Sequence, residues 1–342
     1  MAENMGESSI QTQPQEHGGN LDEAIRRFGG LPTDWIDLST GINPFSYPLP
    51  EFPSSVVTDL PTDQLVRSAE QAASDYFTGS AACMATAGAQ AGISLIASYL
   101  AETRAGACVK ILSPTYNEYE RCFRRTGQDV QLCSSADQLA GADIAVIVTP
   151  NNPDGRIIDA RQIQSLSSEV GILISDESFA DCLADTSLSA QACSGSDNII
   201  ILKSFGKFFG LAGLRLGFIL CAETMASELR ARAGPWAVSG PALYVACSAY
   251  RDTSWHQRTR EMLVSRAEWL DAQATASGWT LVGGCPLFRL YQTDNAEDAQ
   301  SHLASHHIWS RRFSYSSDWI RLGLPDDSQC HDVEAAFQAL RS

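Results

Sequence analysis

The sequence is short of positive charge. Lysine and arginine together number 24 against 40 aspartates and glutamates, for a formal net charge of −16 and a pI near 4.7. Such a field repels nucleic acid and anionic membrane surfaces, so an anionic ligand must be met by a local basic pocket. Apolar runs of about 18 residues, the length of a membrane span, are missing. The amino terminus, with Glu3 and Glu7, lacks the basic start and apolar core of a secretory leader, so the expected location is cytoplasmic. The ten cysteines form no C-x-x-C pair, and a chain of 342 residues needs no disulfide staples; they read as reduced core or filler residues. His302, His306 and His307 have no cysteine or carboxylate at ligand spacing, read as a solvated helix face, and give no expectation of a metal. There is no internal repeat, and no low-complexity tract beyond the amino terminus.

The remaining composition, 44% hydrophobic, supports one large core and a smaller appended one. Residues 1–16 are polar and aperiodic, and are expected to be a disordered arm or one laid on a partner. Further on, Val109–Leu112, Ile144–Val148, Gly171–Ser175, Ile199–Leu202 and Leu216–Leu220 are short apolar runs flanked by turn residues. Helical patterns, Ala89–Leu100 and Arg161–Ser168 among them, alternate with these runs. Strands buried on both faces and separated by helices predict an α/β fold with a mostly parallel sheet. After Gly234-Pro235-Trp236 the pattern predicts one long helix, Pro241–Ser277, then alternating segments around Leu287–Tyr291 and Trp319–Leu322: a smaller α+β domain. The expected division is a segment 17–45 joining the small domain, a large domain 46–234, and 235–342 as linking helix and small domain.

In such sheets ligands sit at the carboxyl ends of the strands. Four polar stations fall there: Tyr116, Asn152, Asp176, and Ser204 with Lys207. The run Ser204 to Phe218 brings an amine nucleophile, Lys207, to one sheet edge with two phosphate ligands, Ser204 and Arg215. Phe205, Phe208 and Phe209 surround that lysine, and apolar company disfavours a charged ammonium. Taken singly, each station also has an ordinary reading. Lys207 and Arg215 could flank a helix start at the surface, Gly88-Ala89-Gln90 could be a tight turn, and Tyr116 could be core packing. Asp176 could be a helix N-cap, Asn152 a turn residue, and Arg311 and Arg321 surface ion-pair residues.

Together these residues resemble the fold-type-I pyridoxal-phosphate enzymes, the aspartate-aminotransferase superfamily, from His17 to the carboxyl end. Gly88-Ala89-Gln90, Pro114-Thr115-Tyr116, Asn151 to Gly155, Ser175 to Phe179, Ser204 to Arg215 and Trp319 to Gly323 carry the resemblance, in the family's order. It implies a three-layer fold and pyridoxal 5'-phosphate as cofactor. Lys207 would bind the cofactor covalently, while Asp176 would face the pyridine nitrogen and keep it protonated. Tyr116 would lie on the ring, and Asn152 would donate to its phenolic oxygen. Gly88, Ala89, Gln90, Ser204 and Arg215 would hold its phosphate. Arg321 resembles the arginine that grips a substrate carboxylate, and Arg311 one that binds a substrate phosphate. Phe179 stands where the family often has a tyrosine, which removes one hydrogen bond to the phenolic oxygen. The family also implies a homodimer, because each site borrows residues across the interface.

His17-Gly18-Gly19-Asn20, Asp37 to Pro44 and Gly234 to Pro241 are similar to the threonine-phosphate decarboxylases of the cobalamin pathway. A histidine beside two glycines offers imidazole and open amides to a phosphate, and Asn43 adds a neutral donor; a turn at a domain edge is the plainer reading. The resemblance implies decarboxylation of L-threonine O-3-phosphate, with His17, Gly18, Gly19, Asn43, Asn152, Arg311 and Arg321 at the substrate. A histidinol-phosphate-type aminotransferase shares the lysine run, Tyr116 and both arginines. It lacks the His17 to Asn20 start, and its Tyr-Pro-Asp segment is here Leu60-Pro61-Thr62-Asp63. A non-catalytic cofactor-binding sensor would need a fused winged-helix reader and a basic surface, neither of which the sequence has.

Overall fold

The computed structural model describes residues 18–77, 81–183 and 197–341. The amino-terminal arm, His17 and Cys193 therefore lie outside the described residues. The chain enters through α1 (Leu21–Phe28), β1 (Ile36–Asp37), the short α2 (Ser55–Thr58) and α3 (Asp63–Phe77). There follow β2 (Ala82–Thr86), α4 (Ala89–Thr103), β3 (Cys108–Leu112), α5 (Glu118–Arg125), β4 (Asp129–Cys133), β5 (Ile144–Val148), α6 (Ala160–Glu169) and β6 (Ile172–Asp176). Then come β7 (Ile199–Ser204), α7 (Phe205–Phe208), β8 (Gly217–Cys221) and α8 (Glu223–Ala233).

Strands β2 to β8 form one seven-stranded sheet in the order β2-β8-β7-β6-β5-β3-β4. Its run from β7 to β4 is parallel, as predicted, while β8 is antiparallel to both β7 and β2. The five expected apolar runs are all strands. Strands β2 and β4 were not among the expected ones. In β4 three of five residues are exposed, the pattern of an edge strand, so a search for continuous apolar runs passes over it.

Burial on both faces gives the sheet its function. Along β7, Ile200 and Leu202 pack into one apolar layer with Ile93 and Ile96 of α4, and Ile199 and Ile201 into the opposite one. The period of two then sends Ser204 to the α4 face and Lys203 to the other. In β6, Ile172 and Ile174 share the α4 face and Asp176 continues that row, whereas Glu177 follows on the reverse side. On that reverse side Lys203 and Glu177, both fully buried, form an ion pair at 2.7 Å. Such a pair links the ends of β6 and β7 behind the face that carries Asp176 and Ser204.

The carboxyl-terminal third starts with α9 (Gly240–Ala249) and α10 (Thr253–Ala276). The expected single helix Pro241–Ser277 is thus two. Asp252 interrupts it, its side chain accepting from the Trp255 amide at 3.0 Å and starting the second helix as an N-cap. Beyond lie β9 (Thr280–Cys285), β10 (Phe288–Gln292), α11 (Ala296–Ser305), β11 (Ile308–Trp309), β12 (Arg311–Phe313), β13 (Ser316–Gly323) and α12 (Cys330–Ala339). The antiparallel sheet β12-β13-β10-β9 is the α+β portion that the sequence implied. β1 pairs in parallel with β11, which ties the amino-terminal segment to this portion.

Candidate active site

A cavity of about 440 Å³ opens where the carboxyl ends of β5, β6 and β7 meet the β12–β13 hairpin. Tyr116, Asn152, Asp176, Ser204 and Lys207 all line it, so the four strand-end stations of the sequence do converge. Gly88, Ala89, Gln90 and Arg215 form one wall, and Gly18, Arg311 and Arg321 another.

The first wall is built for an anion. Helix α4 begins at Gly88 with no side-chain cap and no acidic residue in its first turn, so the positive end of the helix and its first amides face the cavity. Gly88 has φ +84°, and a Cβ there would stand 2.9 Å from Nη2 of Arg215. Only glycine lets that guanidinium close over the helix start. Arg215 itself is left-handed, at φ 53°, and donates from Nη1 to the Ala212 carbonyl at 3.2 Å.

The chain has only three lysines. Lys110 donates to two backbone carbonyls, Lys203 is buried against Glu177, and Lys207 opens on the cavity. Its amine lies 5.5 Å from the centre of the Phe179 ring. Burial lowers its pKa to about 8, helped by the charges of Arg321 and Arg215 and opposed by that of Asp176. A lysine so placed has a far larger neutral fraction near neutral pH than an ordinary lysine, and the neutral amine is the form a nucleophile requires.

Asp176 is buried at the end of β6. Burial raises its pKa, while hydrogen bonds from Ser178 and Tyr119 oppose the rise. Tyr116 has its hydroxyl pKa raised by burial and donates to Oε1 of Gln90 at 3.1 Å. Gln90 in turn donates to Glu118 at 2.8 Å, so its side chain orients Tyr116.

Arg321 sits opposite Arg311 in the β12–β13 register. Its guanidinium is buried, donates to Oδ1 of Asn152 and, at 2.8 Å, to the Ser39 carbonyl, and lies 5.2 Å from the centre of the Phe288 ring. Burial lowers its pKa to about 10, with Arg311 the next cause. Ser39 accepts from the Gly19 amide at 2.7 Å, which ties the amino-terminal segment to the same guanidinium.

Asn43 does not reach the cavity. Its Nδ2 donates to the Phe208 carbonyl at 2.7 Å, its Oδ1 accepts from Phe45, and its amide donates to the Lys207 carbonyl at 3.0 Å. Its side chain is buried and held to the backbone beneath the lysine, away from the cavity. Sequence reading passed over Tyr119, whose place at Asp176 depends on the fold, and the hairpin residues Phe313, Ser314 and Tyr315. Among the described residues no group of histidine, cysteine, aspartate or glutamate could hold a metal ion, and nine cysteines are free. No helix among them is long and apolar enough to cross a membrane.

A mostly parallel sheet with lysine, aspartate and an anion cradle at its strand ends is the architecture of the fold-type-I class. Residues 34–337 match the family Aminotransferase class I and II, and the chain belongs to that family. Within it, the chain is 37% identical to a threonine-phosphate decarboxylase of a Sinorhizobium species, over 92% of this chain and 95% of that one. It is equally 37% identical to a threonine-phosphate decarboxylase of Pseudomonas aeruginosa, over 91% and 93%. The histidinol-phosphate aminotransferase of Sinorhizobium meliloti, solved in complex with pyridoxal-5'-phosphate, shares the fold with a TM-score of 0.80 at 17% identity, over 99% of this chain and 98% of that one.

Proposed function

We propose that this protein is a pyridoxal-phosphate-dependent decarboxylase of L-threonine O-3-phosphate, yielding (R)-1-amino-2-propanol O-2-phosphate and carbon dioxide in cobalamin biosynthesis. Identity of 37% to two threonine-phosphate decarboxylases along more than nine-tenths of the chain carries this reading. The cavity's donor set fits the cofactor: an uncapped helix start, Ser204 and Arg215 for its phosphate, Asp176 for its ring nitrogen, and a lysine with lowered pKa. With the cofactor bound, Asn152 would donate to its phenolic oxygen and Tyr116 would lie on its ring; both line the cavity. When bound, the cofactor supplies an electron sink for the pair left at the substrate's α-carbon.

The chain's own residues do the rest. Arg311 and Arg321 bind a doubly anionic substrate, Arg321 at the carboxylate and Arg311 at the phosphate, with Gly18 and His17 as further ligands of the latter; Gly19, whose amide donates to Ser39, is not one of them. Arg321 also holds Asn152, so the group that grips the substrate positions a neighbour of the ring. The carboxylate leaves as carbon dioxide, and Lys207 in its protonated ammonium form, which a pKa of about 8 keeps available near neutral pH, delivers the replacing proton to Cα and is left as the neutral amine.

This reading places the protein in the cytoplasm as a homodimer. Val57, Leu60 and Trp236 are exposed apolar side chains on and near α2 and ahead of α9, surface that a second copy would cover. It divides the chain near residues 45 and 235, with segment 17–45 part of the small domain through the β1–β11 pairing. The test is Lys207→Ala: carbon dioxide release falls at least ~10³-fold, and borohydride no longer fixes the cofactor to the chain. Fixation at Lys110 or Lys203, or turnover that survives, contradicts it.

A further inference from the structure

Asp176 accepts hydrogen bonds on both carboxylate oxygens, from the Ser178 amide and hydroxyl and from Tyr119. The Ser178 amide reaches Oδ1 at 2.8 Å, and the Tyr119 hydroxyl reaches Oδ2 at 2.8 Å. Tyr119 is fully buried in the first turn of α5, packed in the apolar layer that holds Ile93, Ile96 and Phe123. A tyrosine hydroxyl in such a layer needs a polar partner, and the fold gives it this one carboxylate.

The consequence follows from how a hydrogen bond biases a proton. A hydroxyl donates more strongly to an ionised carboxylate than to a neutral one, so it makes Asp176 a weaker base. Burial and the nearby charge of Asp176 raise the pKa of Tyr119 well above the ordinary value, so it stays a donor throughout the physiological range. The other groups that bear on Asp176 include Ser178 and Glu177 from its own segment and Tyr116 and Lys207 at the cavity. Glu177 disfavours the ionised carboxylate and Lys207 favours it; neither donates to Oδ2.

We propose that Tyr119 is a positioning residue that keeps the single proton shared by Asp176 and the cofactor's ring nitrogen on the nitrogen. The inference rests on Asp176 being the partner of that nitrogen. Without the Tyr119 hydroxyl the carboxylate becomes more basic, and the proton moves from nitrogen toward oxygen with no net gain or loss.

The experiment loads wild-type, Tyr119→Phe and Asp176→Asn proteins with cofactor labelled with nitrogen-15 in the ring, and reads that nitrogen's chemical shift. In Tyr119→Phe the resonance moves toward the unprotonated position, and the cofactor's Kd rises about tenfold, the size expected for one hydrogen bond to a charged group. With 1-deaza cofactor, which lacks the ring nitrogen, wild-type and Tyr119→Phe proteins bind equally. An unmoved resonance in Tyr119→Phe beside a moved one in Asp176→Asn overturns the role of Tyr119 and leaves that of Asp176 standing. An unmoved resonance in Asp176→Asn overturns the assignment of Asp176 itself. Should Tyr119→Phe fail to fold, 3-fluorotyrosine at position 119, a stronger donor, must move the resonance toward the protonated position; no movement overturns the proposal.

Discussion

Arg311 and Arg321 are direct cross-strand partners in β12 and β13, and both line the cavity that holds Lys207. Two like charges paired this way repel each other, and burial adds to the cost; the lowered pKa of Arg321, about 10, reports both effects. A substrate with two anionic groups gives each arginine its own counter-charge, and one with a single anionic group leaves one arginine without one.

Replacing each arginine separates the two roles. Arg311→Ala is expected to raise KM for L-threonine O-3-phosphate about 10²-fold, the size of a lost charge-assisted contact, and to leave kcat/KM for unphosphorylated L-threonine within about threefold. Arg321→Ala should impair both substrates alike, since both carry the carboxylate. Steady-state kinetics with the two substrates checks this, and a reversed pattern exchanges the assignments.

Lys207 makes the cofactor-free protein less stable in a defined pH window. Its folded-state pKa of about 8 lies below the ordinary 10.5, so between these values the unfolded chain binds the extra proton and stability rises with pH. Below pH 8 the penalty is fully present. Lys207→Met, which removes it, should stabilise cofactor-free protein at pH 7 by about 1–2 kcal/mol, reduced from the full shift because the side chain is only half-buried. The gain should disappear above pH 10.5, as read from urea midpoints of both proteins across that range.

Asn43 gives the opposite signature to a ligand residue. Asn43→Ala strands the buried Phe208 carbonyl and should cost about 1–3 kcal/mol in unfolding free energy. KM for L-threonine O-3-phosphate should stay within about threefold, because the side chain points at the backbone under Lys207. A large rise in KM with unchanged stability would restore it to the substrate site.

The sequence carried the site better than it carried the architecture around it. Tyr116, Asn152, Asp176, Ser204 and Lys207 were legible because each follows an apolar run buried on both faces, and a parallel sheet gathers such strand ends at one edge. Strand β4 was not, since its exposed positions break the run, and the Asp252 cap was lost inside a long helical pattern. Asn43 misled because its neighbourhood is close to the cavity, while the direction of a side chain depends on contacts 165 residues away in sequence. Tyr119 was hidden for the same reason: its partner Asp176 is 57 residues distant, and nothing local marks an inward tyrosine as a donor to a carboxylate.

Decarboxylation and amino transfer begin from the same cofactor and lysine, and the bond that breaks separates them. The most direct measurement incubates the purified, cofactor-loaded protein with carboxyl-labelled L-threonine O-3-phosphate and 2-oxoglutarate, and counts labelled carbon dioxide and glutamate together. The account predicts carbon dioxide and 1-amino-2-propanol O-2-phosphate in equal amounts with no glutamate; glutamate without carbon dioxide would contradict it.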